Sequence, residues 1–449
     1  MNNEGMKRVY FVGIGGIGMS ALARYYQSRG WAVSGYDLTP SPLTRQLERE
    51  GMAIHYEDLP ESLPALIDLA VYTPAVPSSL GELQALRSRN IPLLKRSEAL
   101  GLISKEHYTI AVAGTHGKTT TTAMVAHILK ENGVDMTAFI GGIANNFGSN
   151  LHLGRGPESV LVVEADEYDR SFLRLAPNIS IVNAIDADHL DIYGDQRHLV
   201  EGFEQFAALS DDCVIVKEGL ALEGETAPQL RFGFGPDNAF QASDIEQHDG
   251  ETDFVLVHDE ERTPVHLNMA GLHNVLNATA AFAATATLGL EPEGIAAALA
   301  TFRGVQRRFD IRVKNSRHCY IDDYAHHPEE LASAIRSLRG IFPGKKLTAV
   351  FQPHLYTRTR DFADGFAASL SQVDKLILLP IYPAREEPIP GVDSEMILGK
   401  VTAPEKVLIQ KEDLISYIEK EPLEVLVTFG AGNIDRYIEP ITRLLSERA

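Results

Sequence analysis

The segment Gly114-Thr115-His116-Gly117-Lys118-Thr119-Thr120 sets two glycines and a lysine among threonine hydroxyls. Glycines let backbone N–H groups approach phosphate oxygens. Lys118 would bring positive charge to the β- and γ-phosphates, and the Thr119 hydroxyl can ligate Mg²⁺. Six residues before Lys118 stands Val112, not glycine, so the loop is a shorter variant of the general pattern. A chance glycine-rich turn is the plain alternative. Lys118 itself reads as an exposed loop lysine that contributes little to packing.

Two acidic clusters follow. Glu164-Ala165-Asp166-Glu167-Tyr168-Asp169 succeeds the apolar run Val160–Val163, and Asp186-Ala187-Asp188-His189-Leu190-Asp191 succeeds Ile179–Val182. Oxygen ligands plus one imidazole beside a triphosphate suit Mg²⁺. For any single aspartate a solvated acidic loop is the better reading. Glu164 and His189 are favoured as functional because both flank the same predicted sheet edge as Lys118.

At the N-terminus, Gly13-x-Gly15-x-x-Gly18, with Gly16 inside it and Ser20 just beyond, follows an apolar run and opens a helical pattern. Asp37 lies 19 residues after Gly18. Alone this is a dinucleotide fingerprint, with NAD as the default ligand and packing as the alternative role of the glycines. Asn274 and Asn277 share one helix face at i, i+3 and could read an adenine edge. Capping by His273 or Asn274 explains them equally well. Arg307-Arg308-Phe309-Asp310 could bring a cation to a γ-phosphate from a hinge. Asp322-Asp323-Tyr324-Ala325-His326-His327 could bind a metal, although adjacent side chains diverge. In Gln352-Pro353-His354-Leu355-Tyr356-Thr357-Arg358, Arg358 suits a substrate carboxylate, and a surface salt bridge is its bland alternative.

The elements that must position these groups are legible as short apolar runs alternating with helical patterns, the mark of α/β layers around parallel sheets. The first unit predicts a strand at Val9–Val12, a helix over about Ile17–Arg29 and a strand at Ala32–Tyr36. The second predicts a strand at Tyr108–Ala113 and a helix from near Lys118, with Met124/Ile128 and Val125/Leu129 at i, i+4. Strands at Ser159–Val163 and Ile179–Val182 come next, then a strand-rich stretch from about Val214 to Met269. An Ala-rich helix over about His273–Leu288 closes the unit. The third, from near Ile311, predicts strands at Tyr320–Ile321, Leu347–Phe351, Leu376–Leu379, Val407–Ile409 and Val425–Phe429, and a last helix over Asn433–Glu447. The expected domains are 1–106, 107–310 and 311–449.

The 449 residues suffice for about three domains. Lys plus Arg is 41 against 61 Asp plus Glu, a net charge of −20 that argues against nucleic acid and anionic membranes as partners. Cys213 and Cys319 are too few for a disulfide framework, which fits a reducing compartment. Lys7 and Arg8 before an apolar run imitate a signal peptide, but the glycines at 13, 15, 16 and 18 break that run. The chain is expected to be mature at its N-terminus, without a transmembrane helix, and cytoplasmic.

Taken together, Gly13–Ser20, Gly114–Thr120, Glu164–Phe172, Asp188–Asp191, His273–Asn277, Arg307–Asp310, Asp322–Pro328, Gln352–Thr359, Pro388–Ser394 and Gly430–Gly432 resemble the Mur ligases over nearly the whole chain. These are ATP-dependent enzymes that add amino acids to the cytoplasmic precursor of peptidoglycan. Within the family the likeness is greatest to the branch that joins L-alanine to UDP-N-acetylmuramate. The resemblance implies a Rossmann-like N-terminal domain that binds the UDP-sugar, not NAD, through Gly13, Gly15, Gly16, Gly18, Ser20 and Asp37. It implies a central ATPase-type α/β domain and a Rossmann-like C-terminal domain that takes the amino acid and closes on the others. ATP would lie on Gly114, Thr115, His116, Gly117, Lys118, Thr119 and Thr120, with Asn274 and Asn277 facing adenine, Arg308 the phosphates and Asp323 the ribose. Thr119 and Glu164 would hold one Mg²⁺ and His189 a second. His354 and Arg358 would contact L-alanine, with Tyr324 nearby. Lys118, His189 and Arg308 would be catalytic, and His189 and His354 are the alternatives for the proton acceptor. A monomer or dimer is expected.

Tyr168, Leu355 and Asn433 depart from residues common in the family, and 190–206 holds no lysine for the carbamylated position of some relatives. The near rival is a ligase that joins a preformed tripeptide to the same UDP-sugar. A dehydrogenase would leave the phosphate loop unexplained. A regulatory ATPase would hydrolyse ATP without forming an amide.

Overall fold

The run at Val9–Val12 becomes the strand Arg8–Val12, the centre of a five-stranded sheet. Its order is Ala53–His55, Ala32–Tyr36, Arg8–Val12, Leu69–Tyr72, Leu93–Lys95, and all four pairings are parallel. The order reverses direction at Arg8–Val12. A crevice therefore opens where Gly13–Gly18 leads into the helix Ile17–Ser28, the position at which such sheets bind ligands.

The computed structural model describes residues 5–156, 158–186, 196–224, 227–248, 250–384 and 386–448. His189, Asp188 and Asp191 lie outside the described residues. The chain divides into two compact units: Met1–Glu246 with Thr252–Asn268 and Leu272–Arg303, and Gln247–Glu251 with Met269–Gly271 and Gly304–Ala449.

The first unit also contains a ten-stranded sheet. Its interior strand Thr109–Ala113 is buried at every position, as a strand covered on both faces must be. Ile179–Val182 flanks it in parallel on one side and Val160–Glu164 on the other. The phosphate loop, the first acidic cluster and the segment from Asn183 therefore all emerge at one carboxyl edge. The helix Lys118–Glu131 is buried continuously from Thr119 to Leu129. Its i, i+4 apolar pairs mark only one face. The helix is covered all round, with Leu272–Thr287 and the strand Met136–Ala144 packed against it. The strand-rich stretch supplies five strands, ending in a hairpin of Glu251–His258 and Glu261–Leu267. Asp259 and Glu260 both take positive φ at its two-residue turn, which matches the twist of the paired strands.

The five- and ten-stranded sheets share one core cluster. Tyr25 of the first helix meets Phe139 at 5.6 Å between ring centroids. Phe172, just past the acidic cluster, stacks on Phe206 at 5.0 Å and 7°.

The second unit is a six-stranded sheet ordered Asp310–Lys314, Cys319–Asp323, Val425–Phe429, Leu347–Phe351, Lys375–Leu378, Glu405–Leu408. Only the edge strand Asp310–Lys314 is antiparallel. The last helix is shorter than expected: Asn433–Tyr437 is a 3₁₀ turn, and the α-helix is Ile438–Glu447. Pro440 has no N–H to bond the carbonyl four residues back, so an α-helix extending further upstream would carry a defect there. Cys213 and Cys319 are free and buried, and burial pushes both thiols up to about 11. Among the described residues no helix is long and apolar enough to cross a membrane.

Candidate active site

The Gly114–Thr120 loop owes its shape to two glycines. Gly114 has φ +136° and Gly117 φ +80°, a region that residues with a Cβ rarely enter. A Cβ on Gly117 would stand 2.4 Å from Asn277 Oδ1 and 3.0 Å from Asn183 Nδ2. The loop is tied to the next strand's exit: Thr115 N donates to Ala184 O (3.0 Å), and Asp186 N donates to Thr115 Oγ1 (3.1 Å). His116 Nε2 lies 3.5 Å from Asp186 Oδ2. Thr119 and Thr120 are almost wholly buried at the start of the helix.

Lys118 is not the exposed loop lysine expected from sequence. Its side chain is 15% exposed, and Nζ donates to Gly114 O (2.7 Å) and to Glu167 Oε1 (2.8 Å). Glu167 is completely buried. Burial works against the Lys118 charge, but the carboxylates of Glu167, Asp166 and Glu164 outweigh it and hold the ammonium above its ordinary pKa. The sequence places Glu167 in an acidic cluster without distinguishing it. Only the fold reveals it as the lysine's counter-charge.

Glu164 ends the strand beside the phosphate-loop strand, in register with Val112. Its Oε2 accepts from Gly141 N at 3.0 Å, and Gly141 has no side chain to obstruct it, since a Cβ there would lie 2.1 Å from that oxygen. Asn274 and Asn277 are both buried. Thr121 Oγ1 donates to Asn277 Oδ1 (3.2 Å) and accepts from Asn183 Nδ2 (2.9 Å). Asn277 Nδ2 faces Asn274 Oδ1 at 3.4 Å. The Asn277 amide thus braces the phosphate loop through Thr121. Burial pushes the neighbouring His273 imidazole down to about 4, so it is neutral at pH 7.

In the Gly13–Gly18 loop Gly13, Gly15 and Gly18 each meet a close neighbour, whereas Gly16 makes only ordinary contacts. Gly13, at φ +84°, faces Thr73, and a Cβ on Gly15 would come within 2.8 Å of Asp37 Oδ2. Asp37 Oδ2 accepts from Gly15 N at 2.7 Å, so this carboxylate supports the loop. Gly16 caps the following helix. Ser20 is buried beneath it, its hydroxyl donating to Ile17 O and accepting from Asn150 Nδ2.

The second unit gathers a separate set. Asp323 Oδ2 accepts from Phe309 N (2.8 Å) and Oδ1 from Ala325 N (2.7 Å). Burial raises its carboxyl to about 6, against the pull of those N–H groups and Arg308. Arg307 and Phe309 have positive φ, a kinked entry that sequence does not reveal. Arg307 pairs with buried Asp322 at 3.2 Å, and the guanidiniums of Arg307 and Arg308 lie 5.0 and 5.2 Å from the Tyr324 ring. His326 contacts Tyr324 and His354, whereas His327 turns to Phe362. The adjacent histidines do not converge on one point. His354 stacks on Tyr382 at 5.7 Å, a neighbour the sequence did not single out. Leu355 has φ +72°, pinned by its N–H to Tyr382 O and by its carbonyl, which accepts from Thr359. Among the described residues no hydrogen bond or ion pair engages the Arg358 guanidinium.

Three family models match the chain: "Mur ligase family, catalytic domain" over residues 8–108, "Mur ligase middle domain" over 112–285 and "Mur ligase, glutamate ligase domain" over 307–432. A UDP-N-acetylmuramate–L-alanine ligase of Parabacteroides distasonis is 47% identical, covering 98% of this chain and 97% of its own. One of Cytophaga hutchinsonii is 43% identical over 100% and 99%. Among solved structures, the UDP-N-acetylmuramate–alanine ligase of Thermotoga maritima superposes with TM-score 0.84 at 29% identity, covering 98% of this chain and 100% of that one. A murein peptide ligase of Psychrobacter arcticus shares the fold, with TM-score 0.74 at 24% identity and 98% of each chain covered.

Proposed function

The chain belongs to the Mur ligase family, and from that premise we propose that it joins L-alanine to the lactyl carboxylate of UDP-N-acetylmuramate. ATP becomes ADP and phosphate, in the synthesis of peptidoglycan precursor. The observation that carries this reading is the full-length identity of 43–47% to relatives named for that reaction. The domains are read as 1–106, 107–310 and 311–449, and the cytoplasm as the place of action.

A carboxylate is a poor acylating group. Phosphorylation converts it into an acyl phosphate: a carboxylate oxygen attacks the γ-phosphorus, the bond to the β–γ bridging oxygen breaks, and ADP leaves. Lys118 and the N–H groups of Gly114–Thr120 offset charge on the transferring phosphoryl group. The Thr119 hydroxyl, in the first turn of the helix Lys118–Glu131, and the Glu164 carboxylate, at the end of the strand Val160–Glu164, are hard oxygen donors that suit Mg²⁺, and His189 is read as a ligand of a second ion. When bound, Mg²⁺ supplies charge neutralisation at the phosphates. The neutral L-alanine amine then attacks the acyl carbon, its proton passes to a base and phosphate departs. His189 and His354 are the candidate acceptors. Arg358 holds the amino-acid carboxylate, His354 and Tyr324 line its place, Arg308 meets the phosphates and Asp323 the ribose. The UDP-sugar rests on Gly13, Gly15, Gly16 and Gly18, with Asp37 and Ser20 supporting the loop.

The test is oxygen tracing. UDP-N-acetylmuramate labelled with ¹⁸O in the lactyl carboxylate, turned over with ATP, Mg²⁺ and L-alanine, should deliver one ¹⁸O to inorganic phosphate. Unlabelled phosphate alongside the amide product would rule out carboxylate phosphorylation.

A further inference from the structure

One side chain reaches from the Gly13–Gly18 loop to the acidic cluster beside the phosphate loop. Arg96, the first residue of the helix Arg96–Ser104, lies against Gly18. A Cβ on Gly18 would stand 2.8 Å from Arg96 Nη1 and 3.1 Å from its Cδ. Glycine at position 18 therefore makes room for an arginine, whatever else it does for a ligand. The other side of the same guanidinium donates to Asp166, Nη2 to Oδ2 at 3.0 Å. Asp166 directly precedes Glu167, whose carboxylate holds Lys118. Lys95 adds a second tie, 3.3 Å from Asp169.

The Lys95–Gly101 stretch holds the acidic segment at three points, through Lys95, Arg96 and Gly101. The helix Arg96–Ser104 packs on its exit so closely that a Cβ on Gly101 would lie 2.3 Å from Arg174 O. Asp169 and Arg170 sit at φ +54° and +52°, strained conformations that the surroundings must maintain. Its charges are thus paired with Lys118 on one side and with Lys95 and Arg96 on the other.

We propose that Arg96 is a positioning residue that couples occupancy of the Gly13–Gly18 loop to nucleotide binding at Gly114–Thr120. The inference rests on assigning the first loop to the nucleotide sugar. A pyrophosphate at the N-terminus of the helix Ile17–Ser28 places a strong anion beside the Arg96 guanidinium, which must then divide its charge between that anion and Asp166. Asp166, less neutralised, deepens the negative field around Glu164 and strengthens the hold on the Mg²⁺ ion through which the net-anionic nucleotide is bound. Linkage makes the effect reciprocal.

The experiment is calorimetric titration of a non-hydrolysable ATP analogue with Mg²⁺, with and without saturating UDP-N-acetylmuramate. In the wild type the sugar should tighten nucleotide binding by about fivefold or more, the range typical of coupled sites. In Arg96→Ala the factor should fall to within about twofold of unity while both ligands still bind, and Arg96→Lys, which keeps the charge but not the fork, should fall between. A general loss of stability would not erase coupling between two sites that both still bind. Should Arg96→Ala not fold, Asp166→Asn removes the other partner and should abolish the same factor. Undiminished coupling in the variant that folds, or a wild type that binds both ligands independently, overturns the proposal. A wild type that does not bind the sugar at all sinks the loop assignment itself, and this inference with it.

Discussion

Lys118 Nζ and Glu167 Oε1 lie 2.8 Å apart, with the carboxylate entirely shielded from solvent. The cation expected to meet phosphate is therefore held in place by a buried counter-charge, which orients the lysine.

Removing the lysine alone takes the ammonium counter-charge from that buried carboxylate. Lys118→Ala should cost about 3–5 kcal/mol of stability and lower kcat/KM by at least about 10²-fold. Adding Glu167→Gln should recover much of the stability and none of the activity. Urea denaturation of both variants with steady-state phosphate release checks this. An equally stable Lys118→Ala protein would show that the pair contributes nothing to the fold.

Gly117→Ala forces a Cβ to 2.4 Å from Asn277 Oδ1 at φ +80°. The expected strain is about 1–3 kcal/mol, and KM for ATP should rise at least about tenfold while KM for the UDP-sugar hardly moves. Initial rates at varied ATP and varied sugar separate the two. Equal effects on both constants would contradict a local role for the loop.

Asp323 should titrate near 6, well above its unfolded value of 3.8. The sign follows from a raised folded-state pKa: its contribution to stability is fully present below about pH 3.8 and is lost as pH rises through about 6. Carboxyl ¹³C chemical shifts against pH, assigned through Asp323→Asn, measure it. A midpoint near 4 would show that the two backbone N–H bonds outweigh burial.

Arg358→Ala removes a guanidinium without an ion-pair partner among the described residues. KM for L-alanine should rise about 10²-fold, with KM for ATP and for the UDP-sugar within about twofold. Unchanged KM for L-alanine would move the carboxylate contact elsewhere.

What could be read in the sequence was whatever leaves a periodic or local mark. Apolar runs located the strands Thr109–Ala113, Ile179–Val182 and Leu347–Phe351, because parallel strands covered on both faces are apolar throughout. Glycine spacing located both loops. Burial by distant elements leaves no such mark. Met124/Ile128 suggested one apolar face on a helix that is enclosed on all sides, and Glu167 is chemically indistinguishable from its acidic neighbours until the fold sets it under Lys118. Asn277, read as an adenine contact or a cap, braces Thr121 across 156 positions of sequence. Arg96 carried no motif at all. Its place shows only in the side chain that Gly18 lacks.

The measurement that bears most directly on the proposed reaction is phosphate release with ATP, Mg²⁺ and UDP-N-acetylmuramate, supplied with L-alanine or with a preformed tripeptide, and mass analysis of the product. Release with L-alanine, giving a product heavier than the UDP-sugar by one alanyl residue, is expected. Release with the tripeptide alone would keep the family and the chemistry but contradict L-alanine as the acceptor.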